Sequence, residues 1–343
     1  MKTLTIEKYN AYLERQAELN NLPYNVLAGG DKYTVTPSVQ QKLFEKVRES
    51  SDFLKSISFI FVDEQTGETL GLDSAHTIAS TTDTSGDGER KTTPIAKLVK
   101  QTYNCQQVNF DTHITYKQLD MWAKFPDFQQ KVAGVGVKQR KRDLIMIGFN
   151  GTHRAETSDR NSNPLLQDVA KGWLQKMRED AKARVMNGER SGNQILVGKG
   201  QEYANLDALV MDATEELIDE WHRDDTELVA IVGRKLLADK YFPIVNKDNA
   251  PTEQLAADIV ISQKRIGGLK AVRVPFFPAN KIFITKLENL AIYVQEGTTR
   301  KHIEKNPKKD RIETYESENI DFIVEDYGCA ALIENITLKD KED

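Results

Sequence analysis

Apolar positions along this chain change period several times, and each change marks a predicted element. Near the N-terminus Ile6, Tyr9, Leu13 and Ala17, with Tyr12 beside them, recur three or four apart among charged residues. That is the spacing of one face of an amphipathic helix. Residues 20–31 interrupt it as a loop carrying Pro23, Gly29 and Gly30. A second helix is predicted from Thr36-Pro37, where Thr36 suits the cap and Pro37 the first turn. Val39, Leu43, Phe44 and Val47 form its stripe. Two helices around a Gly-Gly break have little core of their own, so this arm is expected to pack on something else.

Residues 57–72 read as strand, turn and strand, with the turn at 65–68. The stretch 74–94 is rich in Ser, Thr, Asp and Gly and nearly lacks large apolar residues, too few to offset its own ordering entropy. Beyond it Val108, Phe110, Thr112, Ile114 and Tyr116 alternate with Asn109, Asp111, His113, Thr115 and Lys117, a period-two strand with one buried face. The whole of 57–117 is therefore predicted as a long β-excursion whose polar tip lies on a neighbouring molecule.

A helical period returns with Leu119, Trp122, Phe125, Phe128, Val132 and Val135, and Leu144, Ile145, Ile147 and Phe149 close the segment. Pro126 should kink it or start a new helix. Gly134 and Gly136 within one turn are unfavourable in a helix and point to close packing or a bend. This is the longest helix expected in the chain. Another is predicted on Leu166, Val169, Trp173, Met177, Ala181 and Val185, followed by a glycine-rich connection over 188–200. From there helix and strand alternate. A helix capped by Asn205 carries Leu206, Leu209, Ala213, Leu217 and Trp221; a strand covers 228–232 and a helix 233–242, stopped by Pro243. A helix over 253–261, strands over 271–274, 281–285 and 290–294, and a β tail over 320–324 and 331–338 complete the reading.

A length of 343 residues suits two domains of roughly 150 residues each. No apolar run approaches the ~20 residues that span a bilayer, and the N-terminus lacks the apolar core of a secretory signal. Cys105 and Cys329 lie far apart, so a disulfide framework is not indicated and a reducing folding environment fits. A net charge of -5 gives no basis for a dedicated nucleic-acid binder. The basic clusters at 138–142 and 305–311 read as solvated or subunit-facing patches.

Candidate chemistry is sparse. His76, His113, His153, His222 and His302 are scattered without metal-ligand spacing, and no C-x-x-C, H-E-x-x-H, EF-hand, G-x-S-x-G or kinase pattern occurs. The glycines at 197–200 lack phosphate-loop spacing, and Gly134-Val135-Gly136 lies mid-helix, where no dinucleotide turn forms. Glu215-Glu216 and Asp224-Asp225 read as a helix face and a loop. Paired carboxylates can perform acid–base work, but nothing places these in a cleft. No catalytic residue, cofactor or metal site is expected, and the cysteines read as small packing residues.

Six blocks are recognisable: AETSDRNSNPLLQDVAKGWLQKMRE at 155–179, GRKLLADKYFPIVNK at 233–247, ISQKRIGGLKAVRVPFFPA at 261–279, ITKLENLAIY at 284–293, HTIASTTDT at 76–84 and IDFIVEDY at 320–327. Together they resemble the major capsid protein of P2-like tailed bacteriophages, along nearly the whole chain. That resemblance implies an α+β, HK-97-type capsid fold. Residues 1–54 would be the N-terminal arm and 55–117 the extended β-loop. Residues 118–200 and 306–343 would form the peripheral domain with its spine helix, and 201–305 the axial α/β domain. It further implies a structural protein that assembles with itself, as hexamers and pentamers, into an icosahedral head around non-specifically held double-stranded DNA. A scaffolding protein and a portal protein would be partners, with no membrane involved. The site would be the virion, after assembly in the host bacterial cytoplasm. Under this reading Asp83, Asp87, Glu89, Arg90 and Lys91 at the loop tip make inter-subunit contacts. A maturation protease trims the arm in some relatives, and the exposed break at Gly30 and Asp31 is the candidate place. Two other readings stay open: another ring-forming phage structural protein, and an α/β enzyme built on residues 201–300.

Overall fold

Chain contacts in the computed structural model, which describes residues 1–73, 79–85, 89–92, 97–189, 192–245 and 265–339, sort into two units. The first comprises residues 1–65, 104–175 and 291–323, the second residues 66–103, 176–290 and 324–343. The helix expected at 253–261 and Asp87 lie outside the described residues.

In the first unit the arm begins with the helix Thr3–Leu19. Tyr9, Tyr12, Leu13 and Ala17 are buried as expected, but Ile6 is 41% exposed and Thr5 takes its place. The reason is local: Asp120 accepts both the Thr5 hydroxyl and the Lys2 N–H, which turns Ile6 outward. The predicted loop at 20–31 contains a further short helix, Tyr24–Gly29, entered after Pro23 and closed by Gly30 at φ 78°. Glycine adopts that left-handed conformation without steric cost. Helix Pro37–Glu49 starts where Thr36-Pro37 placed it, although the Thr36 side chain makes no capping bond. Tyr9, Tyr12, Leu13, Ala17 and Leu27 pack with Leu119, Phe128, Ile303 and Ile312, so the arm finds its core on the rest of the same unit.

A seven-stranded sheet underlies these helices. Its order is Tyr33–Thr34, Arg300–Asn306, Arg311–Val324, Leu290–Gln295 and Ser58–Val62, with Gln106–Asn109 and Thr112–Thr115 also paired to Arg311–Val324. Residues 291–305, grouped with 201–290 from sequence, thus run in this sheet. The period-two strand predicted over 108–117 is divided, yet both pieces keep one register, Val108 opposite Glu318 and Ile114 opposite Ile312. The interruption is Asp111, whose carboxylate accepts the Glu316 N–H at 3.2 Å. The strand ends at Thr115, which forms a capping box with Gln118 and starts helix Tyr116–Trp122. The turn expected at 65–68 sits earlier, because Thr66 already begins strand Thr66–Asp73, which pairs with Lys97–Asn104.

Pro126 separates Tyr116–Trp122 from the 23-residue helix Phe128–Asn150, as the helical period required. Its C-terminal half is buried through Leu144, Ile145, Ile147 and Phe149. Gly134 and Gly136 do not mark close packing: a Cβ on either would meet nothing within 4 Å. Gly148 does, since its Cβ would lie 2.2 Å from the Trp173 ring. Trp173 is fully buried among Phe53, Phe149 and Phe322, with ring centroids 5.1–6.1 Å away. Its indole N–H donates to the Ala291 carbonyl at 3.0 Å, as a buried Trp requires. The helix predicted over 166–185 shrinks to Trp173–Asp180. Leu166 takes φ 59° in a turn, Asp168 binds the Asp159 N–H, and Gly172 donates to the Gly151 carbonyl; these bonds compete with helical ones.

The second unit is built on a six-stranded mixed sheet. Its order is Arg265–Ile266, Leu269–Val272, Val229–Val232, Ile282–Thr285, Ala331–Ile333 and Val185–Met186. Val229–Val232 and Ile282–Thr285 are buried at every position, as their unbroken apolar runs demand. Helix Leu206–Leu217 covers the sheet through Leu209, Val210 and Ala213, and Asn205 caps it by accepting the Ala208 N–H at 2.9 Å. Trp221, expected on this helix, lies in a separate short one, Glu220–Arg223, and is 57% exposed. Helix Arg234–Val245 runs through Pro243, which sits in its last turn, where a missing N–H removes one bond close to the end.

Candidate functional site

Among the described residues, no three His, Cys, Asp or Glu side chains converge with metal-binding geometry. Both cysteines are buried thiols, packing residues as expected, and burial pushes Cys329 up to about 11, far from a thiolate at neutral pH.

The strongest electrostatic feature is a charged knot in the first unit. Arg140 lies one turn before Leu144 on the inward face of helix Phe128–Asn150 and is 3% exposed. The basic cluster at 138–142 is therefore not wholly a solvated or subunit-facing patch. The guanidinium donates to Glu316 at 2.7 Å and to Glu318 at 3.4 Å, and stacks 4.5 Å from the Phe110 ring centroid. Lys301 also reaches Glu316, at 2.5 Å; the two residues face each other in the register of Arg300–Asn306 on Arg311–Val324. Glu316 and Glu318 are two apart on one strand and so share a face.

Their surroundings drive the two carboxyls in opposite directions. Burial raises Glu316, but Lys301 and Arg140 outweigh it and hold the group at about 2. Burial dominates at Glu318 and pushes it up to about 7, with Arg140 offsetting only part of the rise and Glu316 adding to it. One Glu318 oxygen has no hydrogen-bond partner among the described residues. Burial also opposes the charge on Lys301, yet Glu316 and the nearby tyrosines keep it firmly protonated.

Beside the knot lies a cavity of about 520 Å³. Helices Thr3–Leu19, Pro37–Glu49 and Phe128–Asn150 form its walls, and Tyr33, Thr299, Lys301 and Glu316 lie on its sheet side. Burial pushes the Tyr33 phenol up to about 12.

Of the residues singled out from sequence, Asp83 is exposed and accepts the Ser85 N–H and hydroxyl at 2.9 and 2.5 Å, which lowers its carboxyl. Glu89, Arg90 and Lys91 are exposed, and no ion pair joins them among the described residues; Asp87 lies outside those residues. Gly30 and Asp31 form the turn after helix Tyr24–Gly29, with Asp31 exposed and donating its N–H to Val26 at 3.0 Å. Local polarity alone gives no reason to single out Arg140, Lys301, Glu316 or Glu318. A signal existed: Ile312, Glu316, Glu318, Ile320 and Phe322 share one parity along Arg311–Val324, so the apolar face already contained two glutamates.

The model of the phage major capsid proteins of the P2 family matches residues 8–336. The capsid proteins of Escherichia phage P2 are 54% identical over 346 residues, covering 99% of this chain and 96% of the relative. The major capsid protein of Serratia phage KSP20 is 39% identical over 349 residues, covering 100% and 99%. A chain in the solved satellite phage P4 procapsid, which includes a size determination (Sid) protein, superposes with a TM-score of 0.81 at 51% identity, over 100% of both chains.

Proposed function

The chain belongs to the P2 family of phage major capsid proteins, and from that membership we propose that it closes an icosahedral head, through hexamers and pentamers of itself, around double-stranded DNA. It is a structural component of the virion with the HK-97-type capsid fold. The observation that carries the assembly reading is the full-length likeness to a procapsid chain. Its role is construction rather than catalysis. The rival enzyme reading on residues 201–300 gains no support from the cavity described above, to which that segment contributes only Thr299.

Residues 1–54 act as the arm and 55–117 carry the extended loop; of the division drawn from sequence, the peripheral domain on 118–200 and 306–343 yields strands Val185–Met186 and Ala331–Ile333 to the second unit's sheet, and the axial domain on 201–305 yields residues 300–305 to the first unit's sheet. Support for the arm comes from its apolar residues, which pack against the first unit. The loop tip, with Asp83, Asp87, Glu89, Arg90 and Lys91, lies on a neighbouring subunit. Exposed ion pairs there contribute about 0.2–1 kcal/mol each, enough to set register. Assembly takes place in the host bacterial cytoplasm with a scaffolding protein and a portal protein, and DNA is held without sequence preference. A maturation protease cuts at Gly30 or Asp31, in the turn where the chain leaves a short helix and Asp31 is exposed.

Electron microscopy of the protein expressed alone and with its scaffold tests the assembly. Closed shells or capsomer rings are expected; a uniform monomer in both cases would reopen the enzyme reading. Deleting residues 74–93 is expected to leave a folded subunit that forms no closed shells, and normal particles would refute the role of the tip. Mass spectrometry of DNA-filled heads is expected to find the chain beginning near residue 31, whereas an intact Met1 would remove the cleavage step.

A further inference from the structure

The bond proposed for cleavage sits between two anchors. Upstream, Leu27 is 2% exposed and packs in one cluster with Tyr9, Leu13 and Ile303. Downstream, Tyr33 and Val35 are buried; Tyr33 and Thr34 pair with Lys301 and Arg300, and the Val35 N–H donates to the Thr299 carbonyl at 2.8 Å. Only residues 28–32 lie between, and they form a turn. Gly30 takes φ 78°, and the Gly30 and Asp31 N–H groups donate back to the Leu27 and Val26 carbonyls at 3.4 and 3.0 Å. A Cβ on Gly30 would lie 3.3 Å from the Ile303 carbonyl, so the turn rests on the same strand as both anchors. A protease draws residues on both sides of a bond into an extended strand. Asp31 is exposed, yet the segment cannot straighten while both anchors hold.

The two anchors differ in strength. Backbone pairing and two buried side chains hold the strand side. The helix side, Tyr24–Gly29, has six residues and buries Leu27 alone, and a helix of that length is marginal by itself. It is therefore the side that opens first. We propose that the arm gates the cut at Gly30–Asp31: helix Tyr24–Gly29 unwinds and Leu27 leaves its cluster before a protease can seat the bond. Water then adds across the amide, leaving a carboxylate on Gly30 and an amine on Asp31. The gate rests on the cleavage reading above and adds its control. The docked arm protects its own cut site, and whatever lifts the second helix licenses the cut.

Endoproteinase Asp-N, which hydrolyses the bond before an aspartate, reads the gate on the full unassembled chain, with mass spectrometry giving the initial rate at which residues 1–30 appear. That rate is expected to be slower by roughly a hundredfold or more than in a synthetic peptide of residues 21–40, because only the opened state is cut. Leu27→Ala is expected to speed it by about tenfold or more, since truncating a buried Leu weakens the closed state. Leu27→Met should stay within about threefold of native, and so should Val35→Ala on the strand side, where opening is not the first event. Unchanged near-ultraviolet dichroism verifies the fold of each variant. A native chain cut as fast as the peptide, a folded Leu27→Ala cut no faster than native, or a Val35→Ala cut as fast as Leu27→Ala would each overturn the proposal. These rates do not depend on the maturation enzyme, so the gate fails separately from the cleavage reading, which an intact Met1 in DNA-filled heads would refute.

Discussion

Replacing Glu318 by Gln should make the first unit less sensitive to alkali. The carboxyl ordinarily titrates at 4.5 and is pushed to about 7 in the folded chain. Between those values the folded state keeps a proton that the unfolded state has released, so stability falls as pH rises through the window. At about 1.4 kcal/mol per unit, the shift amounts to roughly 3 kcal/mol withdrawn by pH 8. Glu318→Gln removes the titration while keeping the side-chain oxygen that faces Arg140. Urea unfolding of the unassembled subunit in a Trp221→Phe background, followed by emission of Trp122 and Trp173, both in the same unit, reads the effect from pH 5 to 8.5. The native protein is expected to lose stability across the range and the variant to hold nearly level, surpassing the native chain at pH 8. Glu316→Gln supplies the opposite control. Its carboxyl is held at about 2, so its stabilisation is present at neutral pH and is lost only as pH falls below 4.5. Removing it leaves Lys301 uncompensated at a cost of roughly 3–5 kcal/mol. Native and Glu318→Gln curves that stay parallel over the whole range would refute the reasoning.

Gly148→Ala is expected to cost about 1–3 kcal/mol or more, because the new methyl would lie 2.2 Å from a Trp173 ring already enclosed by aromatic neighbours; an unchanged urea midpoint would contradict it. Glu334 receives both Arg178 and Lys281, which overcome burial and hold its carboxyl below the usual range. Its contribution is therefore present at neutral pH and lost on acidification, and Glu334→Ala should lower the thermal midpoint at pH 7 with a smaller effect at pH 3. Gly30→Val forces a β-branched side chain to φ 78° with its Cβ 3.3 Å from the Ile303 carbonyl. Limited proteolysis should then cut faster around residues 29–31, and an unaltered rate would show that the turn tolerates the strain.

Where the hydrophobic period was long and strong, the elements could be read from the residues. The arm helices, the 23-residue helix broken off after Pro126, the cap at Asn205 and the buried strands of the second unit all followed from spacing and capping chemistry. Errors gathered where side chains bond to backbone or where partners are distant in sequence. Leu166, Val169 and Trp173 have helical spacing, but Asp168 and the Gly151–Gly172 contact hold residues 151–172 in another shape. Asp111 divides a strand of perfect alternation by taking a single N–H. Strand Arg300–Asn306 was missed because its charged run RKHIEKN has only Ile303 to mark an inward face.

The same blindness explains the charged knot. Polarity patterns assign Arg, Lys and Glu to solvent, so Arg140 was absorbed into a basic cluster and Glu316 and Glu318 into a polar stretch. Parity along the strand and the helical period contradict that assignment, since Arg140 stands four residues before buried Leu144, and both glutamates share the face of Ile320 and Phe322. When local polarity and global period disagree, either the element is wrongly placed or the charge is buried with a partner. Here the partners come from three separate segments, around residues 140, 301 and 316–318, and only folding brings them within bonding distance. A buried ion cluster of this kind adds little net stability compared with an apolar core, yet breaking it is costly. Such a cluster can favour one register of the long helix on the sheet, because any other register would leave one of its charges buried without a partner. A shell built from many copies of one chain needs that kind of uniqueness more than it needs additional stability, because an error in one subunit's geometry is repeated at every contact that subunit makes.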